Sequence, residues 1–316
     1  NEDYDIGIFY GYVDHQKKRV IKLNQVKSSG KNINNIFKVI LFSPEQIDLL
    51  KERGIIIDDF DLAFTFLEMN NYYRLNIYFH KLMDIPDHFK IGTTFSRVIN
   101  IYENDKWLRS EILILLEPIE IKVRTQIAYF LGLTYGPNAF YNDKIYKSIK
   151  RQEEIMSTFS KEIQRNPKDP VVKHHFEKYE GKFPIWVIVE YFSFNTLSKY
   201  YNNLAESNKK IIAENSFNLN EHLLGQWLHV LSVLRNICAH YGYLFRREYT
   251  LRPIIARASK WKPMANFQLF AQFLVIKQLS EPQTWKKFVL NLENKISTGK
   301  DFSDRKSTRL NSSHED

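Results

Sequence analysis

The chain is poor in cysteine, with Cys238 alone among 316 residues, and it holds only 11 glycines and 10 prolines. A single cysteine excludes an internal disulfide framework and suits a reducing cytosol, so we expect a cytoplasmic protein. No apolar run reaches the roughly 20 residues that a helix needs to cross a bilayer. The first residues, Asn-Glu-Asp-Tyr, lack the apolar stretch of a secretory signal. The sequence therefore predicts a protein without membrane contact.

The sequence also lacks the motifs of common cofactor sites. It contains no GxGxxG fingerprint and no P-loop, which disfavours nucleotide cofactors and NTP hydrolysis. It contains no HExxH or CxxC pattern either. The neighbouring His174 and His175 would point about 100° apart on a helix, so a solvated face is favoured there over a metal site. We therefore expect no cofactor and no metal.

Positive charge and aromatic rings are what the chain has in excess. Lys and Arg number 45 against 36 Asp and Glu, so the net charge is +9, and aromatic residues make up 15% of the chain. Cations can hold phosphates while rings stack on unpaired bases, which favours RNA as a partner. The simpler alternative is that most rings form a helical core and that an AT-rich genome inflates these residue types.

Apolar residues recur at helical spacing along most of the chain, which predicts a mainly α fold. The first helix is expected to begin at Ser43, and a second helical stretch is expected over 61–82. One or two long helices are predicted over 94–131, with an interruption near Pro118 because proline disrupts a helix interior. The remaining helices are predicted at 171–180, 185–204, 206–215, 221–239, 264–277 and 282–296.

Both ends of the chain differ from this helical body. Residues 6–23 read as two short strands and a turn, rich in β-branched and aromatic residues, so we predict that 1–42 form a β-hairpin extension. Such a hairpin could contact RNA or decorate the edge of the helical body. Residues 304–316 include a stretch that back-translates as a sequencing-adapter oligonucleotide, and we treat them as non-native.

The predicted helix at 221–239 runs directly into the six residues RNICAH, from Arg235 to His240. Asn220 is suited to cap its start, and Gly242 is placed to end it. Arginine holds phosphate through a planar fork of donors, and histidine can move a proton near neutral pH. Asn236 lies one turn before His240 and shares its face. These residue types together can cut RNA without a metal.

The same residues allow two other interpretations: a capping role, which stays open, and a nucleophilic role for Cys238, which is disfavoured. Arg235 and Asn236 could cap a neighbouring element while His240 satisfies local carbonyls, since caps are commoner than active sites. Cys238 is a tempting nucleophile beside His240, but it falls on the apolar face of the helix. A buried structural cysteine is the usual case there.

The motif resembles the Arg-x4-6-His signature of the HEPN ribonucleases. The wider chain resembles the Abi family of bacterial abortive-infection proteins, of the AbiD/AbiF type. The resemblance predicts that residues 43–300 form a HEPN-like helical bundle with an N-terminal helical subdomain. Five collinear blocks carry it: SPEQIDLLKERGIIIDD (43–59), NNYYRLNIYF (70–79), LEPIEIKVRTQIAYFLGLTYGP (116–137), FPIWVIVEYFSFNTLSKYYNNL (183–204) and WLHVLSVLRNICAHYGYLFRRE (227–248).

The resemblance implies a cytosolic, metal-independent endoribonuclease toxin of antiphage defence that works as a homodimer. His240 would act as general base or acid, Arg235 would stabilise charge on the phosphate, and Asn236 would orient His240 or bond the phosphate. A structured noncoding RNA is expected to restrain the toxin. The alternative is a non-cleaving RNA-binding protein that forms a ribonucleoprotein with such an RNA.

Five further residues are predicted to contact RNA. Arg74 belongs to the Tyr-Tyr-Arg-Leu block, and its alternative role is a buried ion pair. Arg124 belongs to the central block, where Glu120 at i−4 offers it a structural partner instead. Tyr243, Arg246 and Arg247 follow the motif directly. The resemblance leads us to expect an Arg near Tyr243 and an Asn near Arg246, and the chain departs from it at both places.

Overall fold

The computed structural model describes residues 43–255 and 268–298; the predicted hairpin at 6–23 and the tail at 304–316 lie outside them. The mainly α prediction is confirmed. The described residues form one short antiparallel hairpin, β1 (Met83–Ile85) with β2 (His88–Phe89). They also form the helices α1 (Ser43–Glu52), α2 (Phe60–Met69), α3 (Tyr72–Leu82), α4 (Phe95–Tyr135), α5 (Ile149–Arg165), α6 (Pro170–Tyr179), α7 (Ile185–Ile188), α8 (Phe194–Asn203), α9 (Glu206–Phe217), α10 (Glu221–Ala239), α11 (Leu269–Leu279) and α12 (Pro282–Thr298).

Helix α4 is the axis of the fold and runs without a break for 41 residues, roughly 60 Å. The predicted interruption near Pro118 was wrong, because Pro118 lies inside the helix. Proline deprives the carbonyl four residues earlier of its hydrogen bond. Here both Pro118 and Ile114 face solvent, where water can satisfy that carbonyl. The buried neighbours of the proline keep the helix packed on its other side.

Two hydrophobic cores lie along α4, one after the other. The N-terminal core, made of buried residues between Ile47 and Tyr102, packs α1, α2 and α3 against the first part of α4. The main core, made of buried residues between Ile112 and Leu292, packs the later helices around the rest of α4. Both cores thus share helix α4.

Polar caps divide the chain more finely than the apolar pattern indicated. The single stretch predicted at 61–82 is two helices, because Asn70 closes α2 and the side chain of Asn71 accepts the Tyr73 N–H to start α3. The stretch predicted at 185–204 is also divided, since Ser193 caps a new helix, α8. Helix α5 is strongly amphipathic and was not predicted.

Helix α10 carries the RNICAH motif and lies in the middle of the main core. It packs against α8, α4, α9 and α11. None of the helices in the described part of the chain is apolar over enough of its length to span a bilayer.

Candidate functional site

The motif helix α10 has well-defined ends. At its start, the side chain of Asn220 accepts the N–H groups of His222 and Leu223, which confirms Asn220 as the N-cap. At its end, Tyr241 donates to the Cys238 carbonyl over 3.1 Å, and Gly242 donates to the Ile237 carbonyl over 2.7 Å. This pair of hydrogen bonds is a Schellman motif, and it makes His240 the C-cap.

The left-handed residue of this motif is Tyr241, with φ of 59°, whereas the sequence had placed Gly242 as the helix stop. Left-handed backbone costs a non-glycine residue about 1–2 kcal/mol. Gly242 is needed for another reason. A Cβ there would lie 2.9 Å from Ile237 Cγ2 and 3.0 Å from the Ile237 carbonyl oxygen. The turn therefore needs a residue without a side chain at 242 and tolerates strain at 241.

Arg74, from α3, holds Tyr241 in place. Its guanidinium donates to the Tyr241 carbonyl over 3.1 Å and to the Tyr102 hydroxyl over 3.0 Å. It also lies over both rings, 5.6 Å and 5.9 Å from their centroids. Within the described residues the partners of Arg74 are neutral, so the buried ion pair considered as its alternative is not found there. These partners take two of its five donors, and its contact with RNA stays a prediction.

A buried cluster on α4 holds the next residues of the turn. Asp105 accepts the Leu244 N–H over 2.8 Å, the Tyr78 hydroxyl over 2.7 Å and the Arg109 guanidinium over 2.9 Å. The Asp105 and Arg109 side chains are only 3% and 5% exposed. Burial raises the pKa of the Asp105 carboxyl, and its three donors oppose that rise.

The second member of this pair also reaches the turn, since Arg109 donates to the Gly242 carbonyl over 3.4 Å. Tyr243 and Phe245 then pack against the N-terminal core. The backbone from Tyr241 to Leu244 is thus fixed by groups of α3 and α4.

The outer face of α10 is open. His240 and His229 are exposed and Asn236 is half-buried, and all three lie on the side away from the main core. Neither the Asn236 side chain nor the His240 imidazole forms a hydrogen bond within the described residues. Both groups are therefore available to a ligand, and the reading in which His240 satisfies local carbonyls through its side chain finds no support in this geometry.

Arg235 lies on another side of α10, in a shallow groove of about 390 Å³ between α10 and α4. Its Nε atom is 3.9 Å from a carboxylate oxygen of Glu120. Apart from Arg235, the groove is lined by residues of α4: Leu113, Leu116, Glu117, Glu120, Ile121 and Arg124. Asn236 and His240 do not line it. One protomer therefore presents Arg235 and His240 on different surfaces, which agrees with the rotation of roughly 140° that five residues make on an ideal helix.

Arg124 is both a structural residue and part of the groove. Its guanidinium donates to Glu120 over 2.9 Å, so the i,i+4 pair is present. It also donates to the carbonyls of Val189 and Phe192, each over 2.9 Å, which closes the end of the helical turn after α7. Glu120 consequently bridges Arg124 and Arg235. Sequence reasoning noted the pair but missed the bridge, because the helical spacing on α4 says nothing about α10.

Tyr243, Arg246 and Arg247 form a run of arginine–aromatic contacts after the motif. The Arg247 guanidinium lies 4.7 Å from the Tyr243 ring centroid, and the Arg246 guanidinium lies 5.2 Å from that of Phe245. Arg246 also donates to the Lys81 carbonyl over 3.1 Å. Its φ is 48°, a left-handed conformation that asparagine adopts more easily.

Cys238 is buried and unsuited to attack a substrate. Burial raises the pKa of its thiol to about 12, and the nearby Arg109 opposes that rise only in part. The thiol is therefore protonated at neutral pH. The interpretation of Cys238 as a structural residue is supported.

The histidine pair on α6 is only partly what the sequence indicated. His174 is exposed, but His175 is buried, bonds the Val171 carbonyl over 2.8 Å and stacks on Phe183. The expectation of a solvated face was wrong for His175, because α6 turns that ring towards Phe183 and the main core.

One group of side chains in the described residues has metal-ligand spacing: Glu206, Glu221 and His222. The Lys209 ammonium lies 2.9 Å from a Glu206 carboxylate oxygen. The hydrogen bond from this ammonium lowers the pKa of Glu206, so the carboxylate already has a positively charged partner within the protein.

Comparison with known proteins gives one match. A family model described as Abi-like protein matches residues 65–246, which is more than half of the chain and includes α10 with its motif. No curated protein matches the chain, and no solved structure does.

Proposed function

This chain belongs to the Abi-like protein family, and we propose that it is a cytoplasmic, metal-independent endoribonuclease of the HEPN type that acts in abortive infection. The observation that carries the proposal is the end of α10. There an unbonded, exposed imidazole follows the helix directly, and an arginine lies five residues earlier at an open groove. Histidine and arginine are the groups that proton transfer and phosphate stabilisation require.

The proposed reaction is an intramolecular transesterification, in which the ribose 2′-oxygen replaces the 5′-oxygen of the next nucleotide on the phosphorus. His240 takes the proton of a ribose 2′-hydroxyl, and the resulting oxygen attacks the adjacent phosphorus. The bond to the 5′-oxygen of the next nucleotide breaks, and that oxygen receives a proton from a second imidazole. Arg235 stabilises the charge that develops on the phosphate oxygens. The products are a 2′,3′-cyclic phosphate and a 5′-hydroxyl, and Asn236 orients His240 or bonds the phosphate.

A second copy of the chain supplies what one protomer lacks. Arg235 and His240 lie on different surfaces of one protomer, and two imidazoles are needed for base and acid. Helix α10 packs against α8, α4, α9 and α11, and its exposed face with His229, Asn236 and His240 is left for a partner. We therefore propose a homodimer in which two motifs build one composite site.

A mixing experiment tests the composite site. His240→Ala should be inactive, because it removes both imidazoles of the dimer. When equal amounts of wild type and His240→Ala are unfolded and refolded together, about half of the dimers are heterodimers with a single His240. These heterodimers should be inactive, so cleavage should fall to about a quarter of that of wild type at the same total protein concentration. Cleavage of about one half, from a mixture that forms dimers, would mean that each protomer builds its own site.

The catalytic assignment has a direct test with a matched control. His240→Ala should lose cleavage of RNA and toxicity in cells while its circular dichroism and melting temperature stay close to wild type. His174→Ala changes the same residue type at an exposed position on α6, outside the motif helix, and should cleave normally. Cleavage by folded His240→Ala at the wild-type rate would refute the assignment.

RNA is proposed both as the substrate and as the restraint. The predicted contacts are Arg74, Arg124, Tyr243, Arg246 and Arg247, whose guanidinium and ring faces suit phosphates and unpaired bases. A structured noncoding RNA encoded beside the gene is the proposed antitoxin. Its affinity should fall with salt with a log–log slope of several units, and it should exceed that of random RNA of equal length.

A second candidate function is a non-cleaving protein that only holds a structured RNA. One observation favours it: Glu117 and Glu120 balance the charges of Arg124 and Arg235 in the groove. A groove without net charge attracts a scissile phosphate weakly, which is unfavourable for cleavage at Arg235. Under this alternative, His240→Ala would bind RNA as the wild type does, and neither protein would cleave any RNA.

A further inference from the structure

We propose that Tyr241 is a stacking platform for an unpaired RNA base, placed beside His240. This inference rests on the proposed function in taking RNA as the ligand. It assigns a role to a residue for which the motif itself gives no reason, since Tyr241 lies just outside RNICAH.

The backbone at Tyr241 is the first reason. Among the described residues, positive φ at non-glycine positions falls on Tyr241 and on Asp87, Glu180, Asn218 and Arg246. Aspartate and asparagine adopt this conformation with less strain than other residues, and tyrosine gains no such relief. A glycine at 241 would satisfy the Schellman motif without strain. The fold alone therefore does not require an aromatic side chain at position 241.

The setting of the ring is the second reason. Tyr241 is 68% exposed, although an aromatic side chain gains stability from burial. One face of the ring meets the Arg74 guanidinium at 5.6 Å, and the same guanidinium bonds the Tyr241 carbonyl. The ring is thus held firmly by its backbone and by one face. Its remaining surface is open to solvent.

The chemistry of the proposed cleavage is the third reason. Attack by a 2′-hydroxyl requires that oxygen to lie in line with the leaving 5′-oxygen, a geometry that a stacked helical strand does not offer. A nucleotide next to the scissile phosphate has to leave the stack. An exposed ring directly after His240 can receive its base, and Arg74 behind the ring adds positive charge near the phosphate.

Three substitutions separate stacking from strain. Tyr241→Phe keeps the ring, Tyr241→Leu removes the ring but keeps the strained backbone, and Tyr241→Gly removes both. The probe is a single-stranded RNA of about ten nucleotides with 2′-O-methyl groups, which cannot be cleaved. A duplex of the same sequence is the control ligand.

The expected result follows from the usual contribution of one stacked base. The phenylalanine variant should bind the single strand as the wild type does, within about twofold. The leucine and glycine variants should bind it roughly 5- to 150-fold more weakly. Binding of the duplex should not change, because its bases are not available for stacking. Wild-type affinity of Tyr241→Leu for the single strand would overturn the proposal.

Stability measurements exclude a trivial cause. Tyr241→Gly should melt between the wild-type temperature and about 3 °C above it, since relief of strain is partly offset by the lost contact with Arg74. Glu180→Gly is the matched control, because Glu180 ends α6 in the same left-handed conformation, with φ of 56°. It should also gain stability and should bind RNA normally. If Glu180→Gly also weakened RNA binding, the loss of binding in Tyr241→Gly would be a consequence of changing a strained backbone position. The assignment of base stacking to Tyr241 would then be overturned.

Failure of this inference can be told from failure of the proposed function. The binding assay uses uncleavable RNA and does not depend on catalysis. If the wild type cleaves RNA and Tyr241→Leu binds and cleaves RNA as the wild type does, the stacking role of Tyr241 is wrong and the proposed ribonuclease activity is retained. If the wild type does not cleave RNA but Tyr241→Leu loses single-strand binding, the stacking role is retained and the proposed ribonuclease activity is wrong.

Discussion

Helix α4 carries two acid–base pairs that are nearly identical in sequence and opposite in setting. Asp105 with Arg109 and Glu120 with Arg124 are both i,i+4 pairs with N–O distances of 2.9 Å. The first pair is almost completely buried and clamps the turn that follows the motif helix. The second is partly exposed at an open groove, and its carboxylate also faces Arg235. The same i,i+4 spacing thus stabilises the fold at Asp105 and forms part of a candidate site at Glu120, 15 residues later.

The difference teaches that burial and third partners, rather than spacing, decide what a pair does. The donors bonded to Asp105 all belong to the protein, and the carboxylate is buried away from any ligand. Around Glu120 the partner Arg235 is only loosely engaged, at 3.9 Å, and 37% of its side chain is exposed. The other donors of Arg235 can therefore take a phosphate while Glu120 keeps the guanidinium in place, without any rearrangement of the fold.

The largest expected effect comes from breaking the buried pair. Asp105→Asn should lower the free energy of unfolding by about 3–5 kcal/mol, because it leaves the Arg109 charge buried without a counter-ion. It should also lower cleavage, since a neutral amide oxygen holds the Leu244 N–H, and with it the turn after His240, less strongly than the carboxylate does. Urea unfolding measures the change. Glu103→Gln, which breaks an exposed i,i+3 pair with Lys106, is the control and should change stability by less than about 0.5 kcal/mol. Equal losses in the two variants would contradict the distinction.

A smaller effect on stability, with a clear effect on activity, is expected at the open pair. Glu120→Gln should lower the free energy of unfolding by only about 1 kcal/mol, because Arg124 keeps the Val189 and Phe192 carbonyls. It should reduce kcat for RNA cleavage roughly tenfold, because Arg235 loses the carboxylate that orients it. Single-turnover cleavage separates this from substrate binding. Unchanged kcat would show that Glu120 does not position Arg235.

The smallest expected effect lies beside both pairs, at Cys238. Because burial holds the pKa of its thiol near 12, the thiolate at pH 8.5 is roughly one part in three thousand, and native protein should resist alkylation by iodoacetamide. Unfolded protein, whose thiol has an ordinary pKa, should react readily at the same pH. Cys238→Ala should cleave RNA at the wild-type rate. Rapid labelling of the native protein, or a large loss of activity, would return Cys238 to the candidate site.

Sequence reasoning was most successful where a local pattern has one physical meaning. Helix α10 was predicted with its N-cap at Asn220, because an amide side chain before an apolar periodic stretch has few other uses. The prediction failed at Pro118, where tertiary packing of the neighbouring residues overrides the proline. It also failed at Asn70 and Ser193, whose capping role is invisible when the apolar spacing continues past them.

The site was predictable in its residue types but not in its assembly. Arg235 and His240 were identified from RNICAH. The contact between Glu120 and Arg235, however, joins two helices through residues that lie 115 positions apart in the sequence. No periodicity within one helix can reveal such a contact. The strain at Tyr241 was missed for a related reason: Gly242 offers an obvious helix stop. Only the close approach to Ile237 shows that this glycine serves packing instead.

The most direct test of the ribonuclease proposal is analysis of the RNA ends produced in excess EDTA. Purified wild-type protein should cleave single-stranded RNA under these conditions and leave 2′,3′-cyclic phosphate and 5′-hydroxyl ends, which mass spectrometry identifies. His240→Ala should produce none of them. Cleavage that requires magnesium and leaves 3′-hydroxyl ends, or cyclic-phosphate ends produced equally by folded His240→Ala, would contradict the mechanism.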